Sequence, residues 1–91
     1  MADVTVRFQQ TPNPNAGKFT VSRRVVEGNA SRSYYNAAQA SADPVGAALF
    51  EIDGVQSIFL VDDFVTVTKR PDATWDALMP EVIRTIERTI G

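Results

Sequence analysis

The sequence contains no cysteine and no histidine, and these two absences remove the usual routes to catalysis and metal binding. Without cysteine there is no disulfide framework, no thiol nucleophile and no thiolate-held zinc or iron–sulfur cluster. Without histidine the chain lacks the commonest base near neutral pH and the commonest nitrogen ligand for a metal. A nucleophile, a base and an orienting group cannot be assembled in the usual way from what remains, so no enzyme is expected. A hard-metal site would have to be built from carboxylates and carbonyls. Net charge is small too. The formal net charge is −2, which disfavours nonspecific nucleic-acid binding. No apolar run approaches the roughly 20 residues of a membrane span. The opening MADVTVRF shows no charged leader followed by an apolar segment, and the default expectation is a cytoplasmic protein with no membrane or nucleic-acid partner.

What is present reads as one small globular unit, residues 1–91. With 91 residues, 44% of them apolar and 22% charged, the chain can bury about 60–65% of the surface its unfolded form exposes. Val4, Val6 and Phe8 alternate with polar residues, the pattern of a half-buried strand. TPNPNAG at 11–17 interrupts it, because proline removes ladder donors while Asn and Gly favour turns. Phe19 and Val21 resume the alternation, with Val25 or Val26 following after a shift of register. Residues 27–42 carry the weakest pattern: Tyr34 and Tyr35 suit a short strand, and Ala37–Ala42 a loop or a helical turn. Asp43-Pro44 is an N-cap acceptor followed by a proline at the first helical position. A short helix follows, weakened by Gly46 and ended by Asp53-Gly54. VQSIFLV and FVTVTK, joined by Asp62-Asp63, predict a hairpin central to the sheet. Trp75, Leu78, Met79, Val82, Ile83, Ile86 and Ile90 predict an amphipathic helix, capped by Thr74 or Asp72, bent or shortened at Pro80, and ended by Gly91. The expected fold is α+β in two layers: an antiparallel four-stranded sheet with two helices on one face, in the order ββ-α-ββ-α.

Three groups of residues are candidates for function. The adjacent carboxylates Asp62 and Asp63 suit a hairpin turn in which Asp accepts backbone hydrogen bonds; alternatively they form a loose oxygen-rich metal site, if Asp53 or Glu51 comes near. A catalytic dyad is disfavoured because neighbours on an extended strand point to opposite faces. The loop residues Pro12, Asn13, Pro14, Asn15, Gly17 and Lys18 lack the spacing of a phosphate-binding loop, and read either as a rigid surface loop or as a partner-recognition surface. Arg23, Arg24 and Arg32 make either a solvated basic patch or a site for an anionic partner. Trp75 is taken as a core anchor between helix and sheet. With no apolar stripe left over once the core is built, a monomer is the default.

The stretches TPNPNAGKF, DPVGAALFEIDGVQSIFLVDDFVTVTK and the W-x-x-L-M-P-x-V pattern of Trp75–Val82 together resemble the N-terminal domain of the Nfu/NifU-like iron–sulfur cluster scaffold proteins. The matches are in the family's order and span most of residues 6–90, with 27–42 the poorest part. Such proteins carry an α/β N-terminal domain joined to a second domain whose Cys-x-x-Cys pair binds a cluster and passes it to clients. The present chain matches only the first domain. The resemblance therefore implies a non-catalytic accessory domain in iron–sulfur cluster assembly or delivery, recognising a cysteine-bearing scaffold or client. It also implies weak iron binding with no stably held cofactor, for which Asp62, Asp63, Asp53 and Glu51 are the nominees. Asp63 corresponds to the Asp of the family's D-F-I-T-V-T-K pattern, where a turn role explains the match as well as iron does. A small interaction module unconnected with iron is the alternative.

Overall fold

The computed structural model describes residues 4–26 and 31–90. Its elements are β1 (Val6–Gln10), β2 (Ala16–Val21), β3 (Ser31–Tyr34), α1 (Pro44–Phe50), β4 (Val55–Val61), β5 (Phe64–Lys69) and α2 (Trp75–Ile90). The sheet has five strands rather than the expected four, in the spatial order β1-β2-β5-β4-β3 and antiparallel throughout. The two helices cover one face, so the two-layer α+β architecture stands. The expected helix end at Gly91 lies outside the described residues, as do residues 27–30 of the weakly patterned stretch.

Register runs in rows across the sheet. Phe8, Phe19, Val65, Leu60 and Arg32 are successive partners on the helix-facing side. The next row in sequence, Gln9, Lys18, Thr66, Phe59 and Ser33, lies on the uncovered side. This follows from the period-2 alternation of strand side chains. In β2 and β5 it is strict, each reading half-buried then buried along its length.

Leu78, Val82 and Ile86 of α2 are at most 4% exposed and meet Phe19, Val65 and Leu60 below them. Each such side chain contributes about 1.5–3 kcal/mol relative to exposure. The helix runs unbroken from Trp75 through Pro80 to Ile90, so the expected interruption at the proline does not shorten it. Thr74 caps its start, its Oγ1 accepting from Ala77 N–H at 3.4 Å.

The fifth strand, β3, is held by polar contacts. Arg32 and Tyr34 point toward the helices, where Asp43 waits at the start of α1. Asp43 Oδ2 accepts from Tyr34 Oη at 2.9 Å and from Arg32 Nη1 at 3.2 Å, while Oδ1 caps the helix through Val45 and Gly46 N–H. Burial alone would push this carboxyl up. The Gly46 N–H, the Tyr34 hydroxyl, the Arg32 guanidinium and the Val45 N–H overcome that and hold it below its ordinary value. Gly46, expected to weaken α1, lets the helix sit close to β3: a Cβ there would stand 3.2 Å from the Tyr34 ring. Tyr35, by contrast, lies beyond the strand and is 69% exposed.

Candidate functional site

The segment joining β1 to β2 is stiffened by its own side chains. Thr11 Oγ1 lies 2.9 Å from the carbonyl oxygens of both Asn13 and Ala16, either of which it can donate to, and accepts from Asn13 N–H. Asn13 Oδ1 accepts from Asn15 N–H at 2.9 Å, and Asn13 O from Ala16 N–H at 3.0 Å. These are the local bonds for which Asn and Thr are favoured in turns.

Two distant residues then fix the loop to the body. Trp75 Nε1 donates to Pro14 O at 3.1 Å. Lys69 binds Asn15 twice: its backbone N–H reaches Asn15 O at 2.7 Å, and its Nζ reaches Asn15 Oδ1 at 3.0 Å. Gln10, Thr11, Pro12, Asn13, Pro14, Ala16 and Trp75 line a shallow groove. Trp75 is thus both anchor and groove wall: its ring packs 5.3 Å from Phe8 and 6.0 Å from Phe19.

The six loop residues expected to act together divide between two places. Pro12, Asn13, Pro14 and Asn15 form the loop proper. Gly17 and Lys18 belong to β2. Gly17 is buried under Phe8 and Trp75, and Lys18 stands on the uncovered face with Nζ 4.4 Å from the centre of the Phe64 ring. Lys69 was missed as a loop anchor, although its register in FVTVTK, two beyond Val67, places it on the inward face.

Asp62 and Asp63 form the two-residue turn between β4 and β5, with Val61 paired to Phe64. Asp62 takes φ 50°, a left-handed conformation that Asp tolerates better than most residues. The turn works through its carbonyls. Asp63 O accepts from Val21 N–H and Asp62 O from Val25 N–H, each at 2.7 Å, which ties the hairpin tip to the chain leaving β2. The side chains are exposed, and Asp62 Oδ1 lies 3.7 Å from Arg24.

Asp53 does not join them. It lies before β4, whose seven residues span about 20 Å at the strand's rise per residue, and pairs with Arg70 at 3.1 Å. Glu51 is at that same far end, as the C-cap of α1. Among the described residues no three His, Cys, Asp or Glu side chains are placed to hold a metal. The nominated carboxylates therefore do not make a common iron site.

The expected basic patch separates as well. Arg23 donates to Ile90 O at 3.0 Å at the C-terminal end of α2, Arg24 faces Asp62, and Arg32 faces Asp43.

Comparison with known proteins agrees with this architecture. Residues 6–91 match the family described as scaffold protein Nfu/NifU N terminal. The chain is 40% identical over 81 residues to NifU-like protein 5, mitochondrial, of Arabidopsis thaliana, covering 89% of this chain and 29% of that protein. It is 38% identical over 82 residues to the human NFU1 iron-sulfur cluster scaffold homolog, mitochondrial, covering 89% and 32%. The chain thus spans less than a third of the length of these curated relatives. Among solved structures it is similar to the crystal structure of protein SAV1430 from Staphylococcus aureus, with 32% identity and a TM-score of 0.77 over 90% of this chain and 98% of that one. It is also similar to the solution structure of a NifU-like protein from Saccharomyces cerevisiae, with 25% identity and a TM-score of 0.82 over 96% and 78%. The cytoplasmic location expected by default is overturned: the relatives from Arabidopsis, human and Drosophila are mitochondrial by name.

Proposed function

The chain belongs to the Nfu/NifU N-terminal scaffold family, and on that premise we propose that it is a partner-recognition domain in iron–sulfur cluster assembly or delivery. Its partner is a cysteine-bearing scaffold or client protein. The chain itself is non-catalytic, having neither His nor Cys, and the cluster is cargo held by thiolates on the partner.

The observation that carries this reading is the groove between the 11–16 loop and Trp75. Its backbone is already fixed by Thr11, Asn13, Lys69 and the indole N–H. A preorganised loop spends less entropy on binding, where each side chain immobilised costs about 0.5–1.5 kcal/mol. Pro12 and Gln10 are exposed there and make none of the loop's fixing bonds, so they are available for contact.

The test is titration of a purified Cys-x-x-Cys scaffold domain of the family into this chain, followed by calorimetry. Gln10→Ala with Pro12→Ala should weaken binding about tenfold, equivalent to about 1.4 kcal/mol, while circular dichroism shows the same folded state and the loss of Pro12 lowers stability by no more than about 1 kcal/mol. Full affinity in that variant removes the groove from the recognition surface. No binding by the unaltered chain removes the scaffold as partner.

A further inference from the structure

Among the described residues, the helix-free face of the sheet carries charge of one sign. The five strands contain no Asp or Glu at all, although the whole chain has more acidic than basic residues. On the uncovered side the register brings Arg7 beside Thr20 and Phe64, and Lys18 beside Thr66 and Phe59. Among the described residues neither Arg7 nor Lys18 takes part in an ion pair. The Lys18 ammonium rests 4.4 Å above Phe64 instead, and Phe64 packs against Phe59 with ring centres 6.5 Å apart. Phe59 is 36% exposed, in a row otherwise made of hydroxyls, an amide and the lysine. Asp62 and Asp63 border the face only at the hairpin tip, and Arg24 stands 3.7 Å from Asp62.

We propose that this face docks an acidic segment of a partner protein, with an aromatic or aliphatic side chain of the segment seated on Phe59. Charge complementarity selects the acidic partner. Two cations held on a low-dielectric sheet face, with no carboxylate between them, attract carboxylates and repel basic segments. The Phe59–Phe64 pair supplies the apolar anchor that charge alone lacks, since rim charges mostly set the encounter rate and buried aromatics the residence time. A nucleic acid would also find cations and aromatic rings here. Two cations are few for a phosphate backbone, and the acidic hairpin tip at the margin opposes one. The face lies on the other side of the sheet from Trp75, so it stands or falls independently of the groove.

The experiment uses the full chain labelled with 15N. It is titrated separately with a ten-residue peptide alternating Glu and Phe, the same peptide with Lys for Glu, and a decauridylate. Amide shifts on adding the Glu peptide should be confined to Arg7–Gln9, Lys18–Thr20, Ser57–Val61 and Phe64–Thr68. The Lys peptide should leave them unmoved. Binding should weaken at least tenfold in R7E/K18E and in Phe59→Ser, and decline with added salt as expected for exposed charges. Arg7→Gln with Lys18→Gln, which removes charge without reversing it, should fall in between and guards against loss of fold in the reversed variant. Binding of the Glu peptide that is indifferent to all three variants overturns the proposal. Equal or tighter binding of decauridylate overturns it in favour of a nucleic acid. Shifts at the same residues on raising the protein concentration alone overturn it in favour of a second copy of the chain.

Discussion

Replacing Gly17 by alanine tests how the loop, Trp75 and β1 are locked together. A Cβ at Gly17 would stand 2.5 Å from Phe8 Cε1 and 3.0 Å from two atoms of the Trp75 ring. Ordinary carbon contacts begin near 3.4 Å, so Phe8 must retreat by about 0.9 Å and Trp75 by about 0.4 Å. Overpacking of this kind costs about 1–3 kcal/mol. Loss of glycine's freedom in the unfolded chain returns about 0.4–1 kcal/mol. The net expectation is a destabilisation of about 1–2 kcal/mol, which lowers the melting temperature of a domain this size by roughly 5–15 °C. Because Trp75 is the single tryptophan, its emission reports the same event: displacement of the ring weakens its bond to Pro14 O and shifts the spectrum to the red. Thermal unfolding followed by circular dichroism and by fluorescence measures both. The cost should shrink by at least half in a Phe8→Ala background, where the clashing ring is gone, because residues in contact couple by about 0.5–3 kcal/mol. An unchanged melting temperature and emission maximum in Gly17→Ala would refute the packing. So would an undiminished cost in the Phe8→Ala background.

Two further outcomes follow from the buried carboxylate and the acidic turn. Asp43 is held below the ordinary carboxylate value, so the folded state binds fewer protons than the unfolded one. Its contribution is complete above about pH 4 and is lost as pH falls through the lower folded value. Asp43→Asn should cost about 1–3 kcal/mol at pH 7 and flatten the acid limb of a urea-midpoint profile; an equally steep limb in the variant would contradict this. At the hairpin, Asp63→Ala should stay within about 0.5 kcal/mol of the original because its carbonyl does the bonding. Asp62→Val should cost about 1–3 kcal/mol by forcing a β-branched residue into the left-handed region. Denaturant titration of the pair checks both, and a large loss in Asp63→Ala would return a role to its carboxylate.

The partition of the candidate site follows from side-chain geometry. TPNPNAGK reads as one continuous loop because Pro, Asn and Gly are all turn formers. Yet Gly17 sits in β2 for a reason that lies elsewhere in the chain: Phe8 and Trp75 occupy the space a side chain would fill. Lys18 follows by alternation onto the opposite face. Similarly, Asp62, Asp63 and Asp53 are close in sequence, but an extended strand of seven residues, β4, keeps Asp53 at the other end of the hairpin. Proximity in sequence left a cluster open as an alternative to a turn, and an extended backbone keeps Asp53 from joining one.

Local signals alone determined much of this protein. Period-2 alternation placed β1, β2 and β5, the β-branched and aromatic run VQSIFLV placed β4, the Asp43-Pro44 pair opened α1, and the apolar spacing from Trp75 to Ile90 placed α2. These signals are carried by each segment's own residues, and the missing Cys and His excluded thiolate and imidazole chemistry without reference to any fold. Tertiary structure decided what depends on a partner from far along the chain. Tyr34 and Tyr35 suited a short strand, but only the assembled sheet shows Ser31–Tyr34 joining it beside β4, with Arg32 and Tyr34 meeting Asp43 across the layer boundary. The loop becomes a fixed groove wall because Lys69 and Trp75 reach back to Asn15 and Pro14. The sheet's open face acquires its sign because the register sets Arg7 and Lys18 from neighbouring strands on it, while among the described residues no acidic residue falls within a strand. A strand pattern shows which way a side chain points, but only the assembled sheet shows what stands beside it.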